Sequence, residues 1–93
     1  MIRSFRDKRS QSIADGTIKK GFPVELVRRA QQLFTVLNAA ADLKDLRSPP
    51  GNRLEKLSGD REGQYSVRIN RQWRICFIWT DAGPEDVEIT DYH

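Results

Sequence analysis

Asp91, Tyr92 and His93 put a carboxylate, a phenol and the only histidine of the chain side by side. General acid–base catalysis draws on these side-chain types, and imidazole is the one whose unperturbed pKa lies near neutrality. Directly before them, Asp86-Val87-Glu88-Ile89-Thr90 alternates polar and apolar residues, the period of a β-strand. A strand holds the residues attached to its end, whereas ordinary chain ends fray. By parity, Asp91 and His93 share the face of Val87 and Ile89, and Tyr92 takes the other face if the strand continues regularly. The bland competitor is a pinned terminus with a hydrogen-bonded tyrosine.

The hairpin before this segment is basic and aromatic. Antiparallel neighbours bring Arg68 and Arg74 close to the closing strand, on faces that depend on the register. Arg53, Lys56, Arg61 and Arg71 add positive charge to the same half. Beside Tyr65, Trp73 and Tyr92, such groups can hold a phosphate while a ring stacks on a splayed base, the usual grip on single-stranded RNA. The alternative is structural, with Trp73, Phe77 and Trp79 in the core and the arginines on a solvated face. Glu55 is a further acid in this basic setting. Cys76 falls inside the central strand, where a thiol is expected to be buried and inert. Glycine-rich phosphate loops, metal-ligand spacings and serine nucleophile motifs are all missing from the sequence.

The elements that must position these groups are few. With 93 residues the chain suits one domain, residues 1–93, built on one small core. Sixteen basic residues against thirteen acidic ones leave a net charge of +3, so an acidic partner is favoured but clustering decides where it binds. One cysteine excludes an internal disulfide and suits a reducing compartment, and one histidine with one cysteine cannot furnish a structural zinc site. No apolar stretch approaches the roughly 20 residues of a membrane span, and the opening residues lack a signal-peptide core, so a cytoplasmic domain is expected.

Ile2-Arg3-Ser4-Phe5 alternates like a short first strand, and residues 6–21 are compatible with a short helix or a mobile segment. Pro23 opens the clearest helix. Its apolar stripe runs through Val27, Ala30, Phe34, Leu37 and Ala41, widened by Leu26, Leu33 and Ala40, with Arg28, Arg29, Gln31, Gln32 and Asn38 towards water. Asp42 is placed to cap a further turn through Leu43 and Leu46, which Pro49-Pro50-Gly51-Asn52 ends. A β-meander comes next. Residues 53–57 form one strand, and Ser58-Gly59-Asp60-Arg61-Glu62-Gly63 a turn. Tyr65, Val67 and Ile69 alternate with Ser66, Arg68 and Asn70 in the next strand. Trp73-Arg74-Ile75-Cys76-Phe77-Ile78-Trp79 is the central strand, and Asp81-Ala82-Gly83-Pro84 the turn into the last.

Leu46-Arg47-Ser48-Pro49-Pro50-Gly51-Asn52-Arg53-Leu54, Leu57-Ser58-Gly59-Asp60-Arg61-Glu62-Gly63, Gln72-Trp73-Arg74-Ile75-Cys76-Phe77 and Asp91-Tyr92-His93, in that order and spacing, closely resemble the HigB toxins of the RelE superfamily, also called plasmid maintenance system killer proteins. The resemblance covers residues 43–93 best and is weak over residues 6–22. It implies an α+β, microbial ribonuclease-type fold, a small antiparallel sheet with helices packed on one face. It also implies an mRNA endoribonuclease acting in the ribosomal A site, without a metal or other cofactor. In that reaction a ribose 2′-hydroxyl attacks the adjacent phosphodiester, releasing a 5′-hydroxyl and leaving a 2′,3′-cyclic phosphate or its hydrolysed form. The chemistry needs a base, positive charge for the pentavalent phosphate and an acid for the leaving oxygen.

Carried over by position, His93 is the first choice for proton transfer. Tyr92 orients or stacks on the nucleotide, and Asp91 acts as base or sets the charge of the histidine. Arg74 stabilises the phosphate with Arg68 behind it, and Arg53, Lys56, Arg61 and Arg71 contribute RNA-binding charge. Where the best-known branch has a second histidine, this chain has Glu55, which either takes over as base or leaves a weaker activity. The implied partners are the ribosome with its mRNA and a HigA-type helix-turn-helix antitoxin, with DNA reached only through the antitoxin and no membrane involved. A gyrase-inhibiting toxin of the ParE kind and a catalytically silent RNA- or protein-binding module are the competing readings. Deleting His93 separates them, since only the nuclease needs it.

Overall fold

The computed structural model describes residues 1–17, 22–48 and 50–91. Expectations for Lys19-Lys20, Pro49, Tyr92 and His93 therefore lie outside the described residues.

Two hydrophobic periods build the architecture. The 3.6-residue period makes α2 (Val24–Ala39), which buries Leu26, Val27, Ala30, Leu33, Phe34 and Leu37 as one stripe. The helix ends at Ala39, so Ala40 is its half-buried cap and Ala41 is exposed instead of extending the stripe. Arg29 and Gln31 are also half-buried, because each reaches a partner: Arg29 donates to Asn52 and Gln31 to the Ile13 carbonyl. In the undecided segment before it, α1 (Lys8–Ala14) forms, with Asp7 as N-cap accepting from the Ser10 amide at 2.7 Å. Asp42 and Asp45 make a reciprocal capping box on a 3₁₀ turn over Leu43–Arg47, which drives Leu46 into the core.

The two-residue period makes a four-stranded antiparallel meander in the order β1 (Glu55–Lys56), β2 (Tyr65–Arg68), β3 (Arg74–Thr80) and β4 (Gly83–Thr90). Val67, Ile75, Phe77, Val87 and Ile89 point to the helices and form one core with the α2 stripe, Ile13 and Leu46. This is the α+β arrangement expected, with helices on one face. The strand expected over residues 53–57 shortens to Glu55–Lys56, because Arg53 turns into the left-handed region at φ 45°.

The last turn is also tighter than expected. Gly83 and Pro84 belong to β4, and Cys76 pairs with Glu88 while Ile78 pairs with Glu85. One extra β4 residue must be absorbed between those pairs, and Asp86 at φ 50° is the bulge that absorbs it. The bulge resets parity so that both Pro84 and Val87 are buried.

The amino-terminal segment meets β4 in parallel at a single bridge, Phe5 to Val87, instead of forming a full strand. It nevertheless closes that sheet edge. Arg3 donates to Pro84, Val87 to Ser4, Arg6 to Val87, and the Ile89 amide to the buried Ser10 hydroxyl at 2.9 Å. The opposite edge, β1, is short and charged, two devices that discourage pairing with a further strand.

Candidate active site

Strand parity decides what occupies the sheet face away from the helices. Val67 and Ile75 pair on the core side, so the neighbouring pairs Ser66–Cys76 and Arg68–Arg74 lie on the open side. Glu55 pairs with Ser66 and Glu88 with Cys76, which adds both carboxylates to the same face. Arg68 and Arg74 thus stand together, Arg74 beside β4 as expected and Arg68 one strand further from it.

Arg74 is the fixed point of this surface. Its Nε donates to Ser66 Oγ at 2.7 Å, and its Nη2 donates to the Arg53 carbonyl at 2.7 Å. Glu55 Oε1 lies 3.7 Å from the same Nη2. The Arg74 side chain is only 14% exposed, against 54% for Glu55, so the guanidinium is walled in while the carboxylate remains in water. The Arg53 carbonyl comes from a loop pinned by Asn52, a buried side chain whose amide donates to the Leu46 and Ser48 carbonyls.

Arg53, Glu55, Arg68, Asn70, Arg71, Gln72 and Arg74 line an open depression of about 450 Å³. Four guanidinium groups against one carboxylate make it a strongly positive concavity. Asn70 shapes its wall, with its side-chain oxygen accepting from the Gln72 and Trp73 amides to tie the β2–β3 turn. Arg68 Nε donates to the Asn70 carbonyl, which holds that side chain along the turn.

Asp91 reaches the rim of the depression through Gln72, whose Nε2 donates to Asp91 Oδ2 at 2.9 Å. Thr90 pairs directly with Arg74, so Asp91 leaves the strand beside that residue. Asp91 lies past the last β4 residue and is exposed, so parity with Val87 and Ile89 does not carry it under the helices.

Five of the sequence-derived candidates converge here: Arg53, Glu55, Arg68, Arg71 and Arg74. Lys56 does not, since it pairs with Tyr65 and parity turns it to the helix side. Arg61 does not line the depression either. It is bound to Glu88 at 2.9 Å and to Gln64 at 3.1 Å, with Arg6 3.9 Å from the same glutamate. Tyr92 and His93 lie outside the described residues. Ser66, Gln72 and Asn70 were missed by reading the sequence, because an isolated serine or amide carries no chemical signature until its cross-strand neighbour is known.

Cys76 is buried as expected, 1% exposed, and burial pushes its thiol up to about 11 from the ordinary 9.0, with Glu88 adding to the rise and Arg61 and Arg74 opposing it. Among the described residues no three histidine, cysteine or acidic side chains gather as a metal-binding group. No helix of the described residues is long and apolar enough to cross a membrane. A fixed guanidinium at the wall of a positive concavity can bind and stabilise an oxyanion, phosphate above all.

Known proteins share both the sequence and the fold. The toxin HigB-1 of Vibrio cholerae is 37% identical over 83 residues, covering 88% of this chain and 87% of that protein. The endoribonuclease HigB of Proteus vulgaris is 28% identical over 93 residues, the full length of both chains. A chain of the YoeB–YefM complex from Staphylococcus aureus superposes with a TM-score of 0.64 at 16% identity, covering 100% of this chain and 98% of that one, and so has the same fold. Residues 3–93 match the family described as "RelE-like toxin of type II toxin-antitoxin system HigB", and to that HigB-like toxin family this chain belongs.

Proposed function

We propose that this protein is an endoribonuclease toxin that cuts translated mRNA in the ribosomal A site, without a metal or other cofactor, and is neutralised by a HigA-type antitoxin. The observation that carries the reading is Arg74, locked by Ser66 and the Arg53 carbonyl at the wall of a four-arginine depression beside the end of β4. Phosphodiester transfer requires such a fixed positive group where charge accumulates in the transition state. Endonuclease activity also agrees with the name of the full-length relative from Proteus vulgaris.

In this reading Arg74 stabilises the pentavalent phosphate, Arg68 assists it, and Arg53 and Arg71 hold the flanking backbone. His93 protonates the leaving 5′-oxygen and Tyr92 stacks on the nucleotide. Asp91 acts as base or sets the charge of the histidine, with Glu55 the alternative base for the 2′-hydroxyl. The proximity of Glu55 to Arg74 supports that alternative, since a base beside the phosphate-binding group is within reach of the attacking hydroxyl. Lys56 and Arg61 fall to the flanking surface. The toxin works in the cytoplasm with ribosome and antitoxin as partners, and reaches DNA only through the antitoxin.

Primer-extension mapping of a defined mRNA, with and without active translation, tests this reading. Cuts that need translation and vanish on deletion of His93 are expected. An intact message under both conditions would favour a gyrase inhibitor or a silent binder.

A further inference from the structure

Arginine is long and flexible, and an unanchored guanidinium samples many rotamers before it meets a phosphate. Arg74 has lost most of that freedom, and a buried hydroxyl is central to the loss. Ser66 lies on β2 between β1 and β3, wholly buried, with its hydroxyl on the open face across from Cys76. Alanine would fill this position equally well as packing, so the oxygen is what distinguishes serine here.

The geometry of the bond matters. Nε carries a single proton, and donating it to Ser66 sets the plane of the guanidinium. Nη2 gives one proton to the Arg53 carbonyl, which the left-handed turn at Arg53 presents. Among the described residues Nη1 donates to no other group. The protons left on Nη1 and Nη2 are then the ones that can meet phosphate oxygens, with Glu55 Oε1 3.7 Å from Nη2 beside them. Without Ser66 the Nε edge competes for the phosphate and the plane can rotate.

We propose that Ser66 is a positioning residue for RNA cleavage, acting through the guanidinium of Arg74. The proposal rests on the reading of Arg74 as the phosphate contact. It separates Ser66 from the arginines around it, which meet the substrate themselves.

A double-mutant cycle in a translating system tests it. Ser66→Ala should lower kcat roughly tenfold with little change in KM, the amount set by one charge-assisted hydrogen bond. In an Arg74→Lys background the same change should add less than about twofold, because lysine has no Nε–H fork to position. In ¹⁵N spectra the Arg74 Nε–H should be resolved and exchange-protected in the wild type and lose that protection in Ser66→Ala. Equal slowing in both backgrounds, wild-type kcat in Ser66→Ala, or unchanged Nε–H protection would each overturn the proposal. A wild type that cuts no RNA would overturn the nuclease reading and this inference together, whereas an active wild type indifferent to Ser66 would overturn this inference alone.

Discussion

The two faces of the sheet are held together in different ways. On the helix side, Val67, Ile75, Phe77, Val87 and Ile89 pack against α2 in a shared core where each side chain has several neighbours. Swaps that conserve volume are tolerated there, whereas a cavity is costly, so what the face demands is filled space. On the open side the groups are set by oriented polar contacts: Ser66 with Arg74, Gln72 with Asp91, Arg61 with Glu88. Packing tolerates approximate shape, whereas a fixed guanidinium depends on particular oxygens in particular places. Stability and activity should therefore respond to different substitutions although both faces belong to the same strands.

The largest effect should come from the middle of β3. Phe77 is fully buried and stacks on Tyr65 with ring centroids 6.3 Å apart. Phe77→Ala should cost about 3–5 kcal/mol of stability in urea or thermal unfolding. Arg74 is three residues away and on the other face. Arg74→Ala should leave cooperative unfolding intact while lowering cleavage roughly 100- to 1,000-fold, the usual loss when one group that stabilises transition-state charge is removed. The two faces are not separable if Arg74→Ala unfolds the protein, or if Phe77→Ala folds normally and loses only activity.

The same difference governs how much could be read in advance. The helix-side face was legible because hydrophobic period is a local property: α2, the apolar run of β3 and the capped turn at Asp42 were all marked by nearby residues. Arg68 and Arg74 were legible as members of one basic hairpin, but their direct pairing on the open face depends on the register, which only the structure supplies. The open face was harder, because its contacts join residues far apart in sequence. Ser66 meets its partner on another strand, and the carbonyl that helps fix Arg74 comes from 21 positions away. Proximity in sequence groups Lys56 and Arg61 with the other basic residues, and parity and the pull of Glu88 separate them. The bulge at Asp86 left no local mark either, because its cause is the need to bury both Pro84 and Val87 across one register shift.

Cys76 is buried on the open face and can titrate where the aliphatic core cannot. Its folded pKa is about 11 and its unfolded reference 9.0, so between these values the unfolded chain has released a proton that the folded chain retains. Unfolding is then favoured as pH rises: the contribution is fully present below 9.0 and is lost progressively towards about 11. Lysines and tyrosines titrate in the same range, so the difference between wild type and Cys76→Ala isolates the thiol. That difference should change with pH across the window and be constant below it, as read by urea denaturation at each pH. At neutral pH a small alkylating reagent should label Cys76 slowly in native protein and rapidly in urea, because the buried thiol is both protonated and covered. A flat difference curve, or labelling equally fast in both states, would mean that the open face admits water down to the sheet. The anchoring of Arg74 would then have to be reconsidered, because a guanidinium on a hydrated sheet would not be held in one plane by a serine oxygen.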